Sequence, residues 1–279
     1  MQVPRGVALA LVVVLNACAR TAPEATPGRL APVLVPESES FTMYPRGGGE
    51  PYRISVGLPP SYARESERRF PVLYGLDADV GFASLVEVTR FLARSREIPE
   101  VIVVGIGYDA DFATWRSRRA ADLTPVSTDE QPTSGHASEF LDFIATELIP
   151  LVESRYRTTR DRTLSGYSLG GLFGTYVLFH RPELFQRYVL GSPSYGWADR
   201  VALEWPAAVS PSGPQPSGIV FTSVGTLETA AMIANWRAFW DAVAALGLPW
   251  LRVTRGEIDE THAGGWPHTT VKGLKAIWR

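Results

Sequence analysis

From residue 52 onward the chain alternates between two kinds of segment. Short runs rich in β-branched and aromatic residues recur at 52–58, 70–76, 101–106, 162–165, 188–190, 219–224 and 250–254, the composition of buried strands. Between most of them lie longer segments with helical periodicity. Residues 84–96 set Leu85, Val88, Phe91 and Leu92 on one face, and residues 139–156 do the same with Phe140, Phe143, Ile144 and Leu148. Strands that lie parallel need a long crossover, most often a helix. The alternation from Phe70 therefore predicts an α/β fold, a mostly parallel sheet of about eight strands with helices on both faces. The first two strands, near Phe41 and Tyr52, have no helix between them and are expected as an antiparallel edge.

About 240 residues carry this pattern, enough for one large α/β domain, which we expect to span residues 40–279. A stretch rich in proline and serine at 206–218 reads as a surface loop of that domain, because a strand follows it. The formal net charge of −2 and 45% hydrophobic residues are those of a folded domain without a basic surface, so nucleic acid is not an expected partner.

Residues 1–18 read separately. Arg5 precedes the unbroken apolar run 7–15, and then come Leu15, Asn16, Ala17 and Cys18. The run is far short of the roughly 20 residues a spanning helix needs, so it reads as a secretory leader. It resembles the lipobox of bacterial lipoproteins, with leucine at −3, alanine at −1 and cysteine at +1, and with Asn16 at the usually small or apolar −2. The resemblance implies a lipid on Cys18, which is the only cysteine and has no intramolecular disulfide partner. The alternative is a plain leader with an incidental cysteine. A lipidated chain would reach a membrane through its anchor and face the periplasm of a bacterial cell envelope. Ala19 is not the aspartate associated with inner-membrane retention in some bacteria, which favours the outer membrane. Residues 19–39, with four prolines among small polar residues, are expected as an extended tether.

The sequence Gly166-Tyr167-Ser168-Leu169-Gly170 fits G-x-S-x-G and falls between a predicted strand and a predicted helix, the context that the motif requires. A sharp strand-to-helix turn brings the residues two before and two after the serine together, which favours glycine at both. Gly171 then lets the helix approach the sheet. The helix N-terminus behind Ser168 supplies unpaired N–H groups for negative charge on a substrate oxygen, with Leu169 as one backbone oxyanion donor. The plain alternative is a glycine-rich turn.

A serine nucleophile needs a base within hydrogen-bond reach, and the chain has four histidines. His180 is twelve residues along the same helix, about 18 Å away at the usual rise, and is expected at the helix end. His136 opens the helix upstream of the serine. His262 and His268 follow the last strand, where this architecture places its base. His262 is favoured because it lies in a loop flanked by Gly264 and Gly265, whereas His268 leads into the final helix. For the acid that orients the base, Glu228 follows the strand 219–224, and Asp259, Glu260 and Asp199 are further candidates. Glu228 reads equally as the first charge of the next helix. No cluster of Cys, His and carboxylates has metal-ligand spacing, so neither a metal nor an organic cofactor is expected.

The chain from about Phe41 resembles the putative-esterase family of α/β-hydrolases, in its siderophore-esterase-like branch related to enterobactin and salmochelin esterases. The blocks that carry the resemblance are PVLYGLDAD, VIVVGIGYD, RAADLTP, GHASEFLDFIATELIPLVESRYR, RTLSGYSLGGLFGTYVLFHRPELFQRYVLGSPS, VGTLE and THAGGWP. It implies the α/β-hydrolase fold, and a second oxyanion donor from the backbone N–H of Leu76 or Asp77. Many relatives have Asp-Gly there, where this chain has Asp77-Ala78. Some relatives in this branch work with serine and histidine alone.

These readings predict a serine carboxylic-ester hydrolase with Ser168 as nucleophile, His262 as base and Glu228 as its orienting acid. The substrate is expected to be a small-molecule ester, with siderophore or other aryl and acyl esters as candidates. The cluster Trp115, Arg116 and Arg119 reads as a mouth for anionic aromatic esters, or as an arginine-rich surface loop over a core tryptophan. The rival functions are acyl transfer from the same serine and a non-catalytic envelope binding protein with this fold.

Overall fold

The computed structural model describes residues 34–208 and 217–279. The leader, Cys18, the tether as far as residue 33 and residues 209–216 of the proline-rich stretch lie outside the described residues. Among those described, eight strands form one sheet: β1 (Ser38–Met43), β2 (Tyr52–Gly57), β3 (Phe70–Gly75), β4 (Ile102–Gly107), β5 (Thr158–Tyr167), β6 (Arg187–Gly191), β7 (Gly218–Gly225) and β8 (Leu251–Ile258). Their order across the sheet is β1-β2-β4-β3-β5-β6-β7-β8. The pairs β1·β2 and β2·β4 are antiparallel and all the others are parallel. β1 starts two residues earlier than the expected domain start, because Ser38 and Glu39 pair with Gly57 and Val56.

The strands alternate their side chains between two cores. Val72 and Tyr74 of β3, Ile102 and Val104 of β4, Tyr188 and Leu190 of β6 and Val220 of β7 enter the larger one. Their neighbours Leu73, Val103, Val189 and Phe221 enter the smaller. This period of two, with both faces apolar, is what a sheet covered on both sides requires. Helices α1 (Ala78–Arg94) and α8 (Gly265–Ile277) cover the smaller core with Leu85, Val86, Leu92, Leu274 and Ile277. Over the larger one lie α3 (Ala137–Phe143), α4 (Ile149–Arg155), α5 (Leu169–His180), α6 (Trp205–Ala208) and α7 (Ala230–Ala245), with α2 (Phe112–Asp122) beside them.

Two segments differ from the sequence reading. The single helix expected over 139–156 is interrupted by a π turn, Ile144–Leu148. Pro150, in the first turn of α4, has no N–H to continue an α ladder, and the wider turn absorbs the break. The arginine-rich stretch after residue 111 is helix α2 rather than a loop. Asp111 caps it, its side chain accepting from the N–H groups of Ala113 and Thr114 at 2.9 and 3.0 Å.

Candidate active site

The parallel strands place their C-terminal ends along one edge of the sheet, and the loops that leave this edge carry the polar residues of the site. β3 leads to Leu76 and Asp77, β5 to Ser168, β6 to Ser192 and Ser194, β7 to Glu228 and β8 to His262.

β5 lies between β3 and β6 and turns directly into α5 at Ser168. The turn works because Gly166 has no side chain: a Cβ there would lie 2.2 Å from the carbonyl oxygen of Gly170. Ser168 pays for the turn with φ 60° and ψ −117°, a region that costs a non-glycine residue about 1–3 kcal/mol. The surroundings hold it there. Its N–H donates to Gly191 O at 2.9 Å, and its carbonyl accepts from Leu172 and Ser194 N–H at 3.0 and 3.1 Å. Its Oγ faces the hydroxyl of Ser194 at 3.3 Å.

The acid and the base meet. His262 Nδ1 lies 2.9 Å from Glu228 Oε2, and the Glu228 side chain is only 1% exposed against 42% for the imidazole. The other carboxylate oxygen, Oε1, accepts from the Ser192 hydroxyl at 2.5 Å and from Gly225 N–H at 2.9 Å. Burial pushes the Glu228 carboxyl up, but the bonds from His262, Ser192 and Gly225 outweigh it and hold the group below its ordinary value. An ionised carboxylate only accepts, so Nδ1 carries the imidazole proton and Nε2 is left with its lone pair. The ring of Tyr167, the residue before Ser168, lies 5.2 Å from the His262 ring.

The helix-start reading of Glu228 passes to its neighbour, because Thr229 is the residue that caps α7, accepting from Met232 N–H. Asp259 instead accepts from the Thr226 hydroxyl at 3.0 Å, Glu260 lies near His268, and Asp199 sits in the 3₁₀ segment before α6. His268 is exposed on the first turn of α8, His180 bonds Tyr176 O at the end of α5, and His136 occupies the N-cap of α3 without a side-chain cap bond.

Of the two backbone groups expected opposite Leu169, only one is open. Leu76 N–H continues the sheet ladder by donating to Ser165 O at 3.0 Å, which corrects its assignment as a donor to substrate. Among the described residues, the N–H groups of Asp77 and Leu169 have no acceptor. Asp77 adopts φ 57° and ψ 40°, and Arg119 clamps it. The guanidinium donates to both carboxylate oxygens at 2.5 and 2.9 Å and to Tyr167 O at 3.0 Å, with 14% of its side chain exposed. Arg119 therefore ties the Asp77 loop to the residue before Ser168. It is not the free cation at the mouth that the sequence suggested.

The sequence reading missed this clamp, as it missed Ser192 and Ser194. Their one sequence signal is the polar Gly-Ser-Pro-Ser run at a strand end. On the outer turn of α2, Phe112 and Trp115 stack with centroids 5.5 Å apart, and the Arg116 guanidinium lies 5.9 Å from the Phe112 ring. Arg119 also lies over the Trp115 ring at 5.5 Å, which sets this aromatic shelf beside the Asp77 clamp.

A strained serine at a strand-to-helix elbow, with two open N–H groups near it and a carboxylate–imidazole pair on adjacent strand ends, defines an α/β-type serine hydrolase. The chain belongs to the putative-esterase family, whose profile ("Esterase: Putative esterase") matches residues 47–255, and within it to the siderophore-esterase-like branch. It is a serine esterase. The chain is 31% identical over 262 residues to the ferri-bacillibactin esterase BesA of Bacillus subtilis, covering 86% of this chain and 89% of that one. The crystal structure of the BES protein from Bacillus cereus superposes with a TM-score of 0.83 at 28% identity, over 91% of this chain and all of that one. An IroE-like serine hydrolase from Shewanella oneidensis gives a TM-score of 0.77 at 25% identity, over 87% and 80% of the two chains.

Proposed function

We propose that this chain hydrolyses ester bonds of siderophores through an acyl-enzyme on Ser168, at the surface of a cell-envelope membrane. The observation that carries the mechanism is the bond between His262 and the buried Glu228 beside the elbow. Ser168 Oγ adds to the ester carbonyl carbon while His262 Nε2 takes the hydroxyl proton, and the carbonyl electron pair moves onto oxygen. Leu169 and Asp77 N–H groups receive that oxyanion. Collapse expels the alcohol, which leaves with the proton held by His262. Water then adds to the acyl group with the same base, and the acid departs as Ser168 Oγ recovers its proton. Glu228 holds the tautomer and balances the imidazolium charge.

Two observations support the substrate class. The relatives just named include a ferri-bacillibactin esterase, and the Phe112–Trp115 shelf with Arg116 at its edge suits flat, anionic aromatic rings. A fluorophosphonate probe is expected to label Ser168, as located by peptide mapping, and to fail on His262→Ala; a ferric catecholate trilactone is expected to be cleaved faster than p-nitrophenyl acetate at equal concentration. No label on folded wild-type protein would overturn the mechanism. Labelling with an intact trilactone would overturn the substrate.

The envelope location rests on the leader and Cys18. In a bacterial host the full chain is expected in the membrane fraction and Cys18→Ser in the soluble fraction. Equal partitioning of the two would remove the anchor. No helix among the described residues is long and apolar enough to cross a membrane.

A further inference from the structure

Ser192 follows β6 in a backbone conformation with φ 39°, where glycine is comfortable and any other residue is strained. Its N–H is nevertheless fixed, donating to Ser223 O at 2.8 Å. At this strained position the hydroxyl sits between two groups of the site. It lies 2.5 Å from Glu228 Oε1 and 2.9 Å from the Tyr167 hydroxyl. The carboxylate cannot donate, so the one Ser192 proton points at Oε1 and the Tyr167 phenol must donate to Ser192.

The direction of every bond is then set: Tyr167 O–H to Ser192, Ser192 O–H to Glu228 Oε1, and His262 Nδ1–H to Glu228 Oε2. Gly225 N–H shares Oε1, which leaves Oε2 to the imidazole. The space for this chain is cut by absent side chains. A Cβ on Gly265 would lie 2.6 Å from the Tyr167 hydroxyl, and one on Gly191 would lie 2.3 Å from its ring. Burial raises the Tyr167 phenol to about 12, Glu228 adding to the effect and the Ser192 bond opposing it, so the phenol remains a donor across the working pH range.

We infer that Ser192, backed by Tyr167, is a positioning residue that keeps Glu228 turned edge-on to His262, so that the catalytic base is oriented by a hydroxyl chain as well as by the acid. The inference rests on the esterase mechanism proposed above. The state of the His262–Glu228 bond can be read without turnover. The ionisable side chains facing Glu228 are His262 directly and Tyr167 through Ser192.

The test compares wild type with Ser192→Gly, Ser192→Ala and Tyr167→Phe. Ser192→Gly removes the hydroxyl while relieving the backbone, so the strain released offsets the lost bond to the buried carboxylate and it is expected to melt within a few degrees of wild type. Both Ser192 variants are expected to lose about tenfold to a hundredfold in kcat on an aryl ester with KM within about twofold. The acidic limb of their kcat–pH profile should move to higher pH, because Glu228 without its hydroxyl donor binds a proton more readily. Tyr167→Phe leaves the Ser192–Glu228 bond in place and should lose only about threefold. In the same samples the low-field proton resonance of His262 Nδ1–H is expected to shift in the Ser192 variants.

Unchanged kcat, pH limb and resonance would overturn the inference. So would a fall in kcat with limb and resonance unmoved, since that is the signature of general loosening. If wild type turned over no ester, the esterase mechanism would fail while the resonance still decided whether Ser192 holds the pair.

Discussion

Ser168→Ala is expected to lower hydrolysis of a p-nitrophenyl ester by a factor of about 10⁴ or more and to melt within a degree or two of wild type. The two halves of this result have separate causes. Activity falls because no other hydroxyl takes up the position. Ser194 stands 3.3 Å away but does not sit at the elbow before α5. Stability holds because alanine has the same Cβ as serine and bears the same backbone strain at φ 60°, while the one bond lost, to a second hydroxyl, is partly solvated. Kinetics on the aryl ester and a thermal melt check both halves. Retained turnover would remove Ser168 from the mechanism, and a large drop in melting temperature would show that the serine holds the elbow together.

Gly166→Ala is expected to damage both properties at once. The new Cβ would sit 2.2 Å from Gly170 O and 2.4 Å from its carbonyl carbon, distances that only a backbone shift can relieve. The obstacle is a peptide group at the start of α5, so the shift must move the helix that follows Ser168 and the N–H of Leu169 with it. Overpacking of this kind costs about 3 kcal/mol, or roughly 6–10 °C in a chain of this size, and a displaced nucleophile costs about 10² or more in kcat. Gly47→Ala is the control, since a Cβ there meets nothing within 4 Å; it should leave both measurements unchanged. A Gly166→Ala protein as stable and as active as wild type would mean that the elbow has more room than these contacts allow.

Much of this arrangement was legible before the fold was known, and the reasons are local. G-x-S-x-G can be read because two of its residues answer to a clash that any strand-to-helix turn imposes. His262 could be preferred over His268 because a loop after the last parallel strand reaches the same sheet edge as Ser168, while a helix start does not. β5 was legible only in its middle, 162–165, of a strand that runs from Thr158 to Tyr167. Its start carries Arg160 and Asp161 next to Arg162, and only the structure shows that Asp161 pairs with Arg187 of the neighbouring strand and Arg162 with Glu153. Glu228 stayed one of several acids because its role depends on a bond to a residue 34 positions away. Arg119 and Asp77 are 42 positions apart, and Leu76 looked as eligible as its neighbour until the ladder bond to Ser165 was seen. Sequence pattern carries periodicity and steric rules well. It carries long-range pairing of polar groups poorly, since any arginine has many carboxylates to choose from.

The position of α2 has a practical consequence for anyone seeking to redirect this enzyme. One turn of that helix presents Phe112 and Arg116 outward, while the next sends Arg119 inward to Asp77 and Tyr167. On the substrate reading proposed above, Phe112 and Arg116 act on substrate preference from one turn of the helix while Arg119 braces the Asp77 loop from the next. A library at Phe112 and Arg116 leaves the Asp77 clamp untouched and so tests that reading by itself, whereas one that extends to Arg119 also removes the bonds to Asp77 and Tyr167 and would mix the two effects.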